Sequence, residues 1–333
     1  MQSAERTKTL QEERRSLPAQ VLQPAEMLAA MTGKGKRYRL DRKENRIAFL
    51  FILPSLVWFM IFIFAPMVFS VILSFSNYEV LTQSYTFIGL KNYINLFNYN
   101  TSYGEQFVRC ILNTLIIAIE VPIAMAFGLL CAVLVSSELM KLSKVYRILI
   151  YLPVVCGAVA SNIIWRYLFK SGTYEMELGV INYYFGIRVN WLTERWPLLT
   201  AIIIKNTIGG MGSSMVLYYA GICGISKEYY EVADLDGANA FNKFWHITFP
   251  MLTPTTFYLL IMRVSGALQA YADAAIFANK SPYAQTIVYF IWDRGINAYS
   301  YGIATAAATL LGIVIMGITV VQFRFSKKWV VEL

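Results

Sequence analysis

Residues Ile225–Pro254 read ISKEYYEVADLDGANAFNKFWHITFPMLTP, a polar stretch set between two apolar runs. Ser226 is placed to N-cap a helix, with Lys227 and Glu228 in its first turn and Glu228 on the favourable end of the dipole. Along Glu228–Leu235, the residues Tyr229, Val232 and Ala233 fall on one side. Asp236-Gly237 ends that helix, because glycine takes a left-handed C-terminal conformation at little cost. Asn239 caps a second short helix whose Phe241, Phe244 and Trp245 form an aromatic face, and Pro250 and Pro254 break the chain before the next apolar run. Two short helices bent about a glycine make a knob that needs a socket. A hairpin lying on lipid favours Lys/Arg on its polar face, whereas this one sets Glu228, Glu231, Asp234 and Asp236 against Lys227 and Lys243. At an anionic membrane surface an acidic knob is favourable only where a protein receives it.

The composition places that knob in a membrane protein. Of 333 residues, 57% are hydrophobic and 15% charged, and the mean hydropathy is +0.50, which together define an all-α polytopic membrane protein. Six apolar runs of spanning length are expected at Ile47–Phe75, Leu112–Val135, Ile148–Phe169, Leu198–Tyr219, Thr255–Phe277 and Tyr301–Phe323. The fifth is the weakest, interrupted by Arg263, Gln269 and Asp273. Residues 1–46 carry eleven Lys/Arg against six Asp/Glu, the turn after the second span carries Lys141, Lys144 and Arg147, and the C-terminus carries Arg324, Lys327 and Lys328. The positive-inside rule puts all three, and so both termini, in the cytoplasm. The same alternation puts the acidic loop there against its own charge, so another constraint must hold it on that side. The expected organisation is a basic, partly disordered tail (1–46), a six-span domain (47–325) with the polar loop at 226–253, and a cytoplasmic C-terminus (326–333).

Other classes are excluded in turn. The tail's basic run lies hard against the first span, which favours anionic headgroups over nucleic acid as its partner. The first apolar run is too long for a cleaved signal peptide. Cys110, Cys131, Cys156 and Cys223 show neither metal-ligand spacing nor a disulfide framework, and His246, the one histidine, has no companions for a metal. No phosphate-binding loop and no catalytic triad pattern occur, so no catalytic residue, metal or cofactor is expected on this chain.

The spacing of the polar loop resembles the "EAA" loop of binding-protein-dependent ABC importer permeases, E-A-A, three residues, Gly, nine residues, then I-x-L-P. Here it runs Glu231-Val232-Ala233, Gly237, then Ile247-Thr248-Phe249-Pro250, with Val232 in the middle of E-A-A and Phe249 for Leu. After residue 46 the resemblance narrows to the carbohydrate, maltose-type branch. Pro54, Pro66, Ser74 and Phe75 fit the first span, FIGLKNYINLF (Phe87–Phe97) the segment after it, Asn113-Thr114 the start of the second, and Arg147, Pro153 and Trp165 the third. Lys280-Ser281-Pro282 departs from the family's Gly-Gly-Pro.

The resemblance implies a type I importer architecture in a bacterial cytoplasmic membrane. It implies a second homologous permease, two cytoplasmic ATPase subunits that use ATP and Mg, and an external solute-binding protein. It makes Glu231, Ala233, Asp236, Gly237, Ile247 and Pro250 the ATPase-coupling residues. It puts sugar contacts on the fourth and fifth spans, where Asn206, Gly210, Ser213, Ser265, Gln269, Tyr271 and Asp273 are the candidates. For the small residues Gly209–Ser214, close helix packing is an equal reading. Glu120, Lys205, Arg263 and Asp273 lie at membrane depth, where charge is costly, and interhelix ion pairs or contacts with the partner permease stand beside ligand binding. Arg263 or Lys205 as counter-ion would suit an acidic sugar or phosphorylated solute. A polyamine, phosphonate or glycerol-phosphate permease, or a proton-coupled transporter using Glu120 or Asp273, are the alternatives.

Overall fold

Among the described residues Leu73 and Ser74 are the first to be buried, and everything from Phe49 to Phe64 before them is exposed. That stretch is apolar almost throughout, the surface a lipid-facing helix requires. The computed structural model describes residues 42–79, 84–137, 142–171 and 179–330. The basic tail before residue 42, Lys141 and the last three residues lie outside them. The chain divides into two compact units, Met1–Ala65 and Pro66–Leu333. The described part of the first is α1 (Arg42–Phe59), followed by the π-turn Met60–Phe64.

In the second unit, Pro66 lies in α2 (Ala65–Ser74). A small hairpin follows, β1 (Ser76–Glu79) antiparallel to β2 (Ser84–Phe87), with Ser76 opposite Phe87 and Glu79 opposite Ser84. The all-helical reading did not anticipate this pair. Then come α3 (Lys91–Phe97), α4 (Ser102–Ile117), α5 (Glu120–Ser136), α6 (Ser143–Val155), α7 (Ala158–Leu168) and α8 (Val180–Phe185). After them run α9 (Arg195–Cys223), α10 (Lys227–Leu235), α11 (Ala240–Lys243), α12 (Phe249–Met251), α13 (Thr253–Leu268), α14 (Ile287–Trp292) and α15 (Tyr301–Ser326).

Among the described residues, three helices are long and apolar enough to cross a membrane, Phe49–Ser74, Ser102–Ser136 and Tyr301–Ser326. Three bent pairs raise the number to as many as six. The run Ile148–Phe169, read as one span, is α6 and α7 bent by 100° at Cys156-Gly157. Cys156 and Gly157 leave helical geometry just after Pro153, whose missing N–H has already weakened the last turn of α6. The bend after the polar loop also falls elsewhere than expected. Ala240–Met251 is continuous through Pro250, and the 61° bend comes at Leu252, just ahead of Thr253-Pro254. The π-turn Phe244–Thr248 makes this possible, because its wider ring, closed from Phe249 N to Phe244 O, resets the ladder before the proline. Met60–Phe64 stands in the same relation to Pro66.

The core of the second unit is built on α5 packed along α9, with α6 on the other side of α9. A Cβ on Gly128 of α5 would collide with Ser214 Cβ of α9, and one on Gly212 with the Ile150 carbonyl of α6. Much of the loose-looking run Gly209–Ser214 is thus close helix packing. Leu259 and Ala267 of α13 close a cluster with Val121, Met125, Met215 and Tyr218. A second cluster joins Phe107 and Cys110 of α4 to Phe290 of α14 and Ala306, Ala307 and Leu311 of α15. The Asn113-Thr114 pair fastens these elements: Asn113 Nδ2 donates to Gln285 O at 3.1 Å, and Thr114 Oγ1 accepts from Ile287 N at 3.1 Å.

Gly128→Leu overfills the α5–α9 contact and should destabilise the purified protein by about 1–3 kcal/mol. Thermal unfolding in detergent reads this as a lowered midpoint, and Leu130→Ala, at an exposed position of the same helix, should move it far less.

Candidate functional site

Glu120, Lys205, Arg263 and Asp273 are carried into the helical core, and the structure pairs them with one another. Lys205 of α9 and Asp273, in the π-turn Asp273–Phe277 beyond α13, form an ion pair although they are only 6% and 7% exposed. Lys205 Nζ also donates to Asn162 Oδ1 of α7 at 2.6 Å, and Asn206 Nδ2 donates to the second carboxylate oxygen of Asp273 at 2.7 Å. One turn along α9 toward the polar loop, Arg263 Nη2 of α13 donates to Glu120 Oε2 of α5 at 2.7 Å. Its Nη1 reaches Gly210 O at 3.2 Å and Ser213 Oγ at 3.4 Å. A Cβ at position 210 would overlap the guanidinium, so Gly210 is glycine because Arg263 lies across it. Removing charges from water is repaid only with such near-complete pairing.

The two pairs wall a cavity of about 480 Å³, lined among others by Asn162, Lys205, Asn206, Gly209, Arg263 and Asp273. Of the residues expected to form the substrate path, Asn206, Gly210, Ser213 and Asp273 meet here. Ser265, Gln269 and Tyr271 do not. Gln269 is exposed and its amide donates back to Ser265 O at 3.0 Å, because α13 ends at Leu268 and leaves that carbonyl within reach. Tyr271 packs instead with Tyr289 and Trp292, centroids 6.3 and 5.7 Å away. Sequence reasoning missed Asn162, buried at 3%; the signal available was an amide beside Ser161 in a mostly apolar helix.

The polar loop folds as its local signals direct. Ser226 Oγ accepts from Glu228 N, and Asn239 Oδ1 accepts from Asn242 N at 2.8 Å. Gly237 has φ +75°, Gly237 N donates to Asp234 O at 3.0 Å, and Ala238 N donates to Ala233 O at 2.9 Å. This is the paired bonding of a Schellman motif, with Asp236 as C-cap and Gly237 in the left-handed position. Two contacts lock the arms together, an ion pair from Lys243 to Asp234 and a 2.9 Å bond between Tyr230 Oη and Thr248 Oγ1. The aromatic face gains Phe249, whose ring centroid lies 5.2 Å from Trp245. Glu231 is exposed, as are Tyr229, Val232, Leu235, Phe241 and Trp245, while Ala233, Ile247 and Pro250 are half-buried. The outer surface of the bend thus mixes acid with large apolar groups.

A family model described as binding-protein-dependent transport system inner membrane component matches residues 27–329. The chain is 32% identical over 314 residues to a probable ABC transporter permease protein, YesP, of Bacillus subtilis, covering 90% of this chain and 98% of that one. It is 25% identical over 307 residues to the arabinooligosaccharides transport system permease protein AraP of Halalkalibacterium halodurans, covering 90% and 94%. Among solved structures it is similar, with TM-score 0.70 and 25% identity over 86% of this chain and 96% of the other, to a chain of a bacterial ABC transporter involved in the import of the acidic polysaccharide alginate.

Asn162→Leu takes an acceptor from buried Lys205 and should lower stability by about 1–3 kcal/mol, the range for stranding one partner of a charged hydrogen bond. Thermal unfolding checks this, with Ser161→Ala, beside it on the cavity wall, as the comparison.

Proposed function

This chain belongs to the binding-protein-dependent transport system inner membrane component family, and from that premise we propose that it is one permease of an ATP-driven importer for neutral sugars or oligosaccharides. A second permease completes the pathway, two cytoplasmic ATPases bind the polar loop, and an external binding protein delivers the solute. The site binds no cofactor of its own, and ATP and Mg act on the ATPases.

The pairing of Lys205 with Asp273 and of Arg263 with Glu120 is the observation that carries the neutral class. The charges cancel within the cavity wall, so an anion entering it finds no free counter-charge. Amide groups beside the paired charges instead offer the mixed donors and acceptors a polyhydroxylated ligand uses. The arabinooligosaccharide permease among the relatives supports the same class. A second reading, an acidic saccharide, is favoured by the likeness to the alginate importer and requires one of the two cations to leave its carboxylate for the solute. Uptake by the reconstituted complex distinguishes them. Labelled neutral oligosaccharides should be carried and uronate oligosaccharides should not; transport of uronates alone would establish the second reading.

For the loop, the reading is mechanical. ATP-driven closure of the ATPases moves a knob that is stiffened by its Schellman cap, the Lys243–Asp234 pair and the aromatic cluster. The knob in turn moves α9 and α13, between which it is strung. The acidic character of the knob, on a side of the chain that charge alone would not choose, supports a protein socket.

Gly237→Val should leave the protein folded but cut sugar-stimulated ATP hydrolysis, since a β-branched residue at this φ costs about 1–3 kcal/mol. Normal stimulation in the reconstituted complex would remove the hinge role. Glu231→Lys should weaken co-purification of the ATPase more at low salt than at high salt, because salt screens the new repulsion. Association independent of both charge and salt would exclude a Glu231 contact.

A further inference from the structure

Glu120, Ser213 and Arg263 line two cavities, of which the Lys205–Asp273 pair borders only one. The first is the polar cavity of about 480 Å³. The second, of about 390 Å³, is lined mainly by apolar groups, among them Leu217, Leu259 and Met262, together with Tyr258. Leu217 lies beyond Ser213 on α9, and Tyr258 and Leu259 precede Arg263 on α13, so this second cavity extends toward the helix ends that carry the polar loop. The Arg263 guanidinium is the feature between them. It is held from one side by Glu120 and rests on the Gly210 carbonyl and the Ser213 hydroxyl.

We infer that the Arg263–Glu120 pair is a gate across the solute path, closed in this structure and separating the polar cavity from a second, mainly apolar one. The inference rests on the proposed role of the chain as a sugar permease. Three features fit a bar that moves rather than a permanent strut. The pair bridges α13 and α5, and α13 joins the polar loop directly through the bend at Leu252, so a displaced loop pulls on the arginine side first. Arg263 Nε is buried without a hydrogen-bond partner, so the closed seat leaves one donor of the guanidinium unpaired. Gly210 gives the guanidinium passage directly over the α9 backbone, where any larger residue would block it. Lys205, by contrast, is held by Asp273 and Asn162 together, and its pair borders only the first cavity.

The gate is tested in vesicles containing the complete complex, loaded with radiolabelled lactose as a neutral probe, by following efflux without ATP. Glu120→Gln preserves shape and removes the countercharge, and efflux should rise about a hundredfold, because the closed state of a two-state element loses its buried charge pair. Gly210→Ala leaves every charge in place but pushes the guanidinium off its seat, and it should leak in the same way. Lys205→Met breaks the other pair, lowers the melting temperature and should not leak. Efflux at the parent level in both Glu120→Gln and Gly210→Ala overturns the gate, as does equal leakage from Lys205→Met, which would make the leak a general loosening. ATP-driven uptake of lactose and of labelled arabino-oligosaccharides by the parent complex is measured alongside. Its absence would count against the sugar reading itself, whereas uptake without variant leakage counts against the gate alone.

Discussion

Four charges in a helical bundle of this hydropathy are tolerable only if they find one another. Each costs about 2.5–3.5 kcal/mol at membrane depth on insertion scales, and the chain answers by tying α9 to the turn beyond α13 and α13 to α5. Much of the surrounding architecture follows from making those two contacts possible. The glycine at 210 lets Arg263 lie on α9, the glycine at 128 lets α5 approach α9, and the end of α13 at Leu268 frees the chain to carry Asp273 back to Lys205.

The same helices connect that layer to the polar loop. Cys223 at the end of α9 and Thr253 at the start of α13 are separated only by the knob and its two bends, of 71° and 61°. In the proposed cycle a knob stiffened internally would transmit displacement to both helices, and the ion pairs would convert a shift of α13 into a change in the cavity. Site and loop are therefore one mechanical unit in the proposed transport cycle, with ATP hydrolysis supplied from outside the chain.

What was legible in the sequence was local. Ser226, Gly237 and Asn239 announce their caps and bend through side-chain chemistry within four residues of where it acts, and each is found where those rules put it. The family resemblance rested on that same loop. The pairing of the buried charges was legible only as a possibility, because Lys205 and Asp273 are 68 residues apart and Arg263 and Glu120 are 143 apart. Side-chain type cannot name a partner at that distance. Hydropathy windows likewise averaged over the kink at Cys156-Gly157 and the early end of α13. The latter is why Gln269, expected on the substrate path, turns back to its own helix. Gly210 and Ser213 also hold Arg263, a contact visible only once the helices are packed.

The central claim is that the buried charges belong to each other. A double-mutant cycle on Lys205→Met and Asp273→Leu, read by unfolding free energy of the purified chain and again in the complete complex, tests it most directly. Pairing predicts a coupling of about 0.5–3 kcal/mol in both preparations, with the double variant more stable than either single one predicts. Additive effects in the isolated chain, with coupling absent there or confined to the complex, would contradict it and assign these charges to the partner permease or the solute.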